Sequence, residues 1–159
     1  MPLWQDRGTR LIVTLALFLG IFAALAIANV SGLRAYANNW WTLGLGVALI
    51  LAGTLLRAWA IVSLGRYFRR DVTIEPGQQI VRRGPYRVLR HPSYTGTLLI
   101  FLGFGLCTLN LFSLTVIVLP ITAAFLWRMH IEETAMREAF EERYRQYAAT
   151  TPRLLPWIY

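Results

Sequence analysis

Apolar residues along this chain gather into four long runs separated by polar, arginine-rich segments. Residues 11–30 (LIVTLALFLGIFAALAIANV) carry no charge over twenty positions, the length at which a helix crosses the ~30 Å hydrocarbon core of a bilayer. The run exceeds the 7–15-residue apolar region of a signal peptide, so it is read as a span despite Arg7 and Arg10 ahead of it. Residues 40–64 form a second run, opened by Trp40 and Trp41 and interrupted only by Arg57; a tryptophan pair suits a membrane–water interface. Two more runs, 94–108 and 111–130, are parted only by Leu109 and Asn110, and so short a connection predicts an antiparallel helix pair. The pattern predicts an all-α integral membrane protein, residues 1–159 forming a single membrane-embedded domain. It has about four transmembrane helices, a cytoplasmic hairpin loop, and a C-terminal helix that continues into the cytoplasm.

Composition agrees with the pattern and sets the orientation. Of 159 residues 56% are hydrophobic and 15% charged, well below the usual quarter for a soluble domain. A lone cysteine, Cys107, excludes an internal disulfide framework and reads as a small buried apolar residue. All sixteen basic residues are arginine, against eight acidic residues, for a net charge of +8. The arginines cluster before the first run, between the second and third, and after the fourth; the intervening loops hold only Arg34. The positive-inside rule then puts both termini and the long 65–93 segment on the cytoplasmic side, in a cytoplasmic membrane. Topology accounts for the charge, so no nucleic acid partner is needed; membrane lipids are the expected surroundings.

The polar chemistry lies in two cytoplasmic segments. Val72–Ile74 and Gln79–Val81 flank Glu75-Pro76-Gly77-Gln78, whose Pro-Gly centre suits a type II turn and predicts a small hairpin. Further on, Arg90-His91 precede Pro92, which fits the first turn of a helix. Two cations beside the free N–H groups of a helix start make an anion site; interfacial anchoring is the competing reading. On the last helix, spacing by four places Arg128, Glu132, Met136, Phe140 and Tyr144 on one stripe. Glu132 therefore sits on an apolar side, where its partner is either Arg128 one turn earlier or a bound cationic ligand. Glu133 pairs with Arg137 and Glu141 with Arg145 at i+4, which assigns both pairs to a solvated face.

Arg57 lies seven residues before the cytoplasmic end of its run. Either its side chain snorkels to the interface, or it faces the bundle and holds an anionic group. His130 has no second ligand at metal spacing, so no metal is expected. Gly44-x-Gly46 and Gly103-x-Gly105 follow no strand and read as close helix packing, not as nucleotide fingerprints.

Gly84-Pro85-Tyr86, then Arg90-His91-Pro92-x-Tyr94-x-Gly96, then Glu132-Glu133, followed by Phe140, Tyr144, Tyr147 and a Pro-containing end, resemble the isoprenylcysteine carboxyl methyltransferase family and its phospholipid methyltransferase relatives. The resemblance covers about residues 65–159, the catalytic part; the first two runs carry no motif. It implies S-adenosylmethionine as cofactor and a lipophilic or prenylated acceptor. The implied cofactor-binding residues are Tyr86, Arg90, His91, Pro92, Tyr94, Glu132 and Tyr144, with Arg57, Glu132 and His91 as catalytic candidates. Glu132 and the tyrosines suit the cofactor's positive groups, and Arg90 or His91 its carboxylate. A carboxylate acceptor, as in an isoprenylated cysteine, needs no general base; an amine acceptor would need His91 or Glu132 to take a proton. Three alternatives stand beside this reading: methylation of a phospholipid or another lipid, an NADPH-dependent sterol-type reductase, whose family shares a similar Arg-His-x-x-Tyr-x-Gly run, and a non-enzymatic membrane scaffold. Oligomeric state is open.

Overall fold

The computed structural model describes residues 4–6, 8–28, 40–68, 72–74 and 77–155. The apolar runs become four helices: α1 (Gly8–Ala28), α2 (Trp40–Leu64), α3 (Pro92–Cys107) and α4 (Leu111–Thr150). The first, second and fourth are long and apolar enough to cross a membrane. With 16 residues, α3 is about 24 Å long, short of the full hydrocarbon thickness. This is an integral membrane helical fold. The loop holding Arg34 lies outside the described residues.

Local chemistry sets the helix ends. Pro92 occupies the first position of α3, where its missing N–H costs nothing. Leu109, at a φ of 54°, turns the chain between α3 and α4. Asn110 then caps α4, its Oδ1 accepting from the backbone N–H of Phe112 at 2.9 Å and of Ser113 at 3.2 Å. The expected tight antiparallel connection is therefore present. α4 runs for 40 residues, past its apolar part, with Pro120 inside it and a break at Glu141, whose φ of 44° and ψ of −120° are not helical.

The helices pack as two pairs. Between α2 and α3 the contact is glycine on glycine. A Cβ on Gly46 would stand 2.8 Å from the Gly103 carbonyl oxygen, and one on Gly96 would stand 2.7 Å from the Gly53 carbonyl oxygen. Seven residues separate the two glycines on each helix, so an antiparallel pair matches both at once and the backbones touch. Gly105 meets Leu114 and Ile117, whereas Gly44 has open space around it, so close packing holds for three of the four glycines in the two Gly-x-Gly runs. Between α1 and α4 the core is apolar, with Val13 and Ala24 packed in one cluster with Ile117, Ile121, Phe125 and Met129. Within it the Ser113 hydroxyl donates to the Ala24 carbonyl at 2.9 Å. Helix α1 is thus built into the bundle, as a span should be. Cys107 is half-buried rather than enclosed.

The expected hairpin is not formed. Val72–Ile74 (β2) pairs antiparallel with Trp4–Asp6 (β1), Trp4 opposite Ile74. Residues 79–81 carry no strand and instead cover the cavity described below. Gly77 does take the positive φ, 78°, that the turn reading requires; Glu75 and Pro76 lie outside the described residues.

Candidate functional site

A cavity of about 630 Å³ opens at the arginine-rich end of the bundle, within the size range of small-molecule sites. Its apolar wall comes from α1 (Val13, Leu17) and from Phe125 of α4; its polar wall comes from α2, the start of α3 and α4 beyond the span. Arg57, Tyr86, Arg90, His91, Tyr94, Glu132 and Tyr144 all line it. Seven of the eight residues singled out in the sequence thus share one cavity. Pro92, the eighth, is fully buried and shapes the helix start rather than the wall. From the α4 stripe, Arg128, Glu132, Met136 and Tyr144 face the cavity, while Phe140 packs toward Ala135.

Glu132 meets the nearer of its two expected partners. Its Oε1 accepts from the Arg128 Nε at 3.2 Å and from the Tyr94 hydroxyl at 2.5 Å, and Arg128 Nε also donates to that hydroxyl at 2.8 Å. The second carboxylate oxygen lies 3.7 Å from Nδ1 of His91. The His91 and Tyr94 rings stack at 5.6 Å, and Tyr94 packs on Phe125 at 4.8 Å. Glu132 nevertheless keeps a quarter of its side chain exposed toward the cavity (24%).

Arg57 faces the bundle and does not snorkel. Its Nη1 donates to the Ser93 carbonyl at 3.3 Å, the Ser93 hydroxyl at 3.1 Å and the Thr97 hydroxyl at 2.5 Å. Gly96 makes this possible: without a Cβ there, α2 approaches α3 closely enough for Arg57 to cross one turn of it.

Glu133 corrects an expectation. Its side chain is 1% exposed, not on a solvated face, although the expected Arg137 contact exists at 3.3 Å. The carboxylate also accepts from Arg90 Nη1 at 2.8 Å, His91 Nε2 at 3.2 Å and Arg153 Nη2 at 2.9 Å. Helical spacing places Glu133 away from the α4 stripe, but residues 151–154 fold back over that side and Arg153 closes on it. Burial alone would raise the carboxyl's pKa; hydrogen bonds from His91 and Arg153 and the charge of Arg90 outweigh it and hold the group down to about 2. The anion site expected at the start of α3 is thus partly satisfied internally, since Arg90 is matched by Glu133. Nε of Arg90 remains buried without a hydrogen-bond partner among the described residues. On the far side, Arg145 lies 3.8 Å from Glu142, not from Glu141 as the spacing suggested.

Tyrosines complete the polar wall. Tyr147 donates to the Tyr86 carbonyl at 2.8 Å, and its ring meets that of Tyr144 at 6.1 Å. Burial, and after it the charge of Glu133, pushes the Tyr144 phenol up to about 12, and burial raises Tyr86 further; both stay neutral donors at physiological pH. Sequence spacing missed Glu133, Arg153, Tyr147 and the Ser93–Thr97 pair under Arg57. Of these, Glu133 and Tyr147 left a signal, as residues of the run that carries the family resemblance. Among the described residues no group of three metal-ligating side chains occurs.

Comparison with known proteins bears on this arrangement. The chain is 29% identical over 134 residues to protein-S-isoprenylcysteine O-methyltransferase B of Arabidopsis thaliana, covering 83% of this chain and 68% of that one. It is 30% identical over 121 residues to a probable protein-S-isoprenylcysteine O-methyltransferase of Oryza sativa subsp. indica, 75% of this chain and 63% of that one. The fold matches the solved structure of the eukaryotic intramembrane Ras methyltransferase ICMT with a TM-score of 0.71 at 23% identity. That match covers 98% of this chain and 55% of the other, so this chain spans little more than half of the solved protein. The profile of the isoprenylcysteine carboxyl methyltransferase (ICMT) family matches residues 46–138, which include Arg57, the Arg90–Gly96 run and the Glu132-Glu133 pair, and with more than half of its length matched the chain belongs to that family.

Proposed function

We propose that the protein transfers a methyl group from S-adenosylmethionine to the carboxylate of an isoprenylated cysteine, at the cytoplasmic face of a cytoplasmic membrane. The observation that carries this reading is the charge state of the cavity wall. Arg90 and Arg128 are matched by Glu133 and Glu132, but among the described residues Arg57 donates only to hydroxyl and carbonyl oxygens. A half-buried guanidinium without a carboxylate favours an anionic ligand, and the apolar wall beside it suits an isoprenoid.

The residues present fit the cofactor. Glu132 and the rings of Tyr94, Tyr86 and Tyr144 offer acceptors and aromatic faces to its sulfonium and amino groups, while Arg90 and His91 offer donors to its carboxylate. When bound, it supplies an electrophilic methyl group. The chain's own work is then positioning and exclusion of water: Arg57 orients the acceptor carboxylate, and the Val13, Leu17 and Phe125 wall holds the lipid tail. No proton has to be removed from a carboxylate acceptor, so His91 and Glu132 serve binding rather than base catalysis.

The test is methyl transfer by the purified protein in detergent, with methyl-labelled S-adenosylmethionine and S-farnesylcysteine. Label released as methanol by alkali marks a methyl ester. Label that survives alkali and appears instead on phosphatidylethanolamine would overturn the carboxylate reading in favour of lipid N-methylation.

A further inference from the structure

Thr151–Leu154, near the end of the described residues, fold back as a strap across the start of α3. The Pro152 carbonyl accepts from the Arg90 backbone N–H at 2.8 Å, the Arg153 carbonyl accepts from the His91 backbone N–H at 3.1 Å, and the Leu154 carbonyl accepts from the Thr95 hydroxyl at 2.8 Å. Leu154 itself is buried in the α1–α4 core. The strap's side chain then reaches the other side of the same two residues: Arg153 places Nε 3.0 Å from Oε1 of Glu133 and Nη2 2.9 Å from Oε2. This is a two-point fork, which fixes the plane of a carboxylate as a single ammonium cannot. The Oε1 atom so fixed is the acceptor for Arg90 Nη1 and His91 Nε2. Arg90 and His91 are thus gripped by the strap through their backbone and by Glu133 through their side chains.

We infer that Arg153 is a positioning residue for the cofactor site, acting through Glu133 to set Arg90 and His91 against the cavity. The inference rests on the reading of that cavity as an S-adenosylmethionine site. Arg153 lies outside the residues that the family profile matches. The exposed Arg137 also approaches Glu133, at 3.3 Å through one nitrogen; such a contact contributes little and leaves the carboxylate plane unfixed.

The experiment is titration of the whole protein in detergent with S-adenosylhomocysteine by calorimetry, together with thermal unfolding, for wild type, Arg153→Ala, Arg153→Lys and Arg137→Ala. Arg153→Ala is expected to weaken binding about tenfold, a loss of about 1.4 kcal/mol, and Arg137→Ala less than threefold. Arg153→Lys retains the charge but not the fork, so it should unfold near the wild-type temperature while binding stays severalfold weak. A merely structural role predicts instead that affinity and unfolding temperature fall and recover together, and that result overturns the inference. Amide exchange on the wild type needs no variant: S-adenosylhomocysteine should slow exchange in peptides covering 150–155 as well as 88–95, and unchanged exchange at 150–155 overturns the inference even where Arg153→Ala fails to fold. Wild type that binds while the Arg153 variants bind equally well sinks the positioning role alone; wild type that does not bind sinks the cofactor reading and this inference with it.

Discussion

Gly96 and Arg57 are in direct contact across the α2–α3 interface: a Cβ built on Gly96 would stand 3.0 Å from the Arg57 Cβ and 2.9 Å from its backbone nitrogen. The glycine that closes the Arg-His-Pro-x-Tyr-x-Gly run therefore serves the residue across from it, letting α2 deliver Arg57 to Ser93 and Thr97. Gly96→Ala is expected to force the helices apart, costing about 1–3 kcal/mol as overpacking does, and to lower methyl transfer at least tenfold by moving Arg57. Gly44→Ala, with nothing within 4 Å, should be neutral or slightly stabilising because alanine is the better helix former. Unfolding temperature and turnover of the two variants decide; equal effects would rule out close approach as the reason for Gly96.

Adjacent carboxylates should respond differently to the same change. Glu132 is partly open to the cavity and shares its partners with Tyr94; Glu133 is enclosed by three arginines and His91. Glu132→Gln is expected to stay folded in detergent and to bind S-adenosylhomocysteine at least tenfold more weakly. Glu133→Gln leaves Arg90 and Arg153 without their buried counter-charge and should cost up to about 3 kcal/mol, seen as a fall in unfolding temperature larger than for Glu132→Gln. If Glu132→Gln binds as wild type does, Glu132 has no place in the cofactor site.

Acid stability follows from the same pair. The Glu133 carboxyl is held at about 2, below its ordinary 4.5, so the folded state takes up this proton later than the unfolded chain. Its stabilisation is fully present above about pH 4.5, where it is on the order of 3 kcal/mol, and is lost as pH falls toward 2. The unfolding temperature in detergent should hold between pH 6 and 5 and then decline. In Glu133→Gln that part of the decline should vanish, and an unchanged decline would assign it to other carboxyls.

Glu141 holds a φ of 44° and a ψ of −120°, a region that glycine enters freely and a side chain only with strain. Tyr144 and Tyr147, which follow the break, line the cavity wall. Glu141→Gly is expected to raise stability by up to about 1 kcal/mol, a shift of a few degrees in unfolding temperature, without loss of activity. A lower unfolding temperature would mean that residue 141 is helical.

How much of this was legible from sequence depends on the distance over which each signal acts. Hydropathy found the helices, and the turn at Leu109–Asn110 was clear because its length left one geometry. The Arg90–Gly96 run and Glu132 converged as spacing and family resemblance required. Glu133 was misassigned because i+4 pairing with Arg137 is real but explains only one of its partners; the others come from the α3 start and from Arg153, twenty residues on. No local pattern reports such a return of the chain. The hairpin failed for a similar reason: β2 found its partner at the other end of the sequence, in Trp4–Asp6. The matched glycines 46/103 and 53/96 were in principle readable as two seven-residue spacings, but only their pairing across helices makes that spacing meaningful.

Arg57 offers the sharpest division between binding and chemistry. Its guanidinium contacts Ser93 and Thr97, not the residues proposed to hold the cofactor, so Arg57→Ala should leave S-adenosylhomocysteine affinity within about threefold of wild type. An acceptor carboxylate would lose its only free cationic partner on the described wall, a charge-assisted contact of about 1.5–3 kcal/mol, so kcat/KM for S-farnesylcysteine should fall roughly ten- to a hundredfold. Arg57→Lys keeps the charge, and the Ser93 and Thr97 contacts all go to one nitrogen, Nη1, but an ammonium cannot face an acceptor carboxylate with two nitrogens, so recovery should be partial. A neutral amine acceptor would gain rather than lose from removal of a cation beside it. Measuring turnover of S-farnesylcysteine and of phosphatidylethanolamine by wild type and Arg57→Ala therefore reads the acceptor class from the sign of the change: a fall for the carboxylate supports the proposal, and a rise for the amine without that fall overturns it.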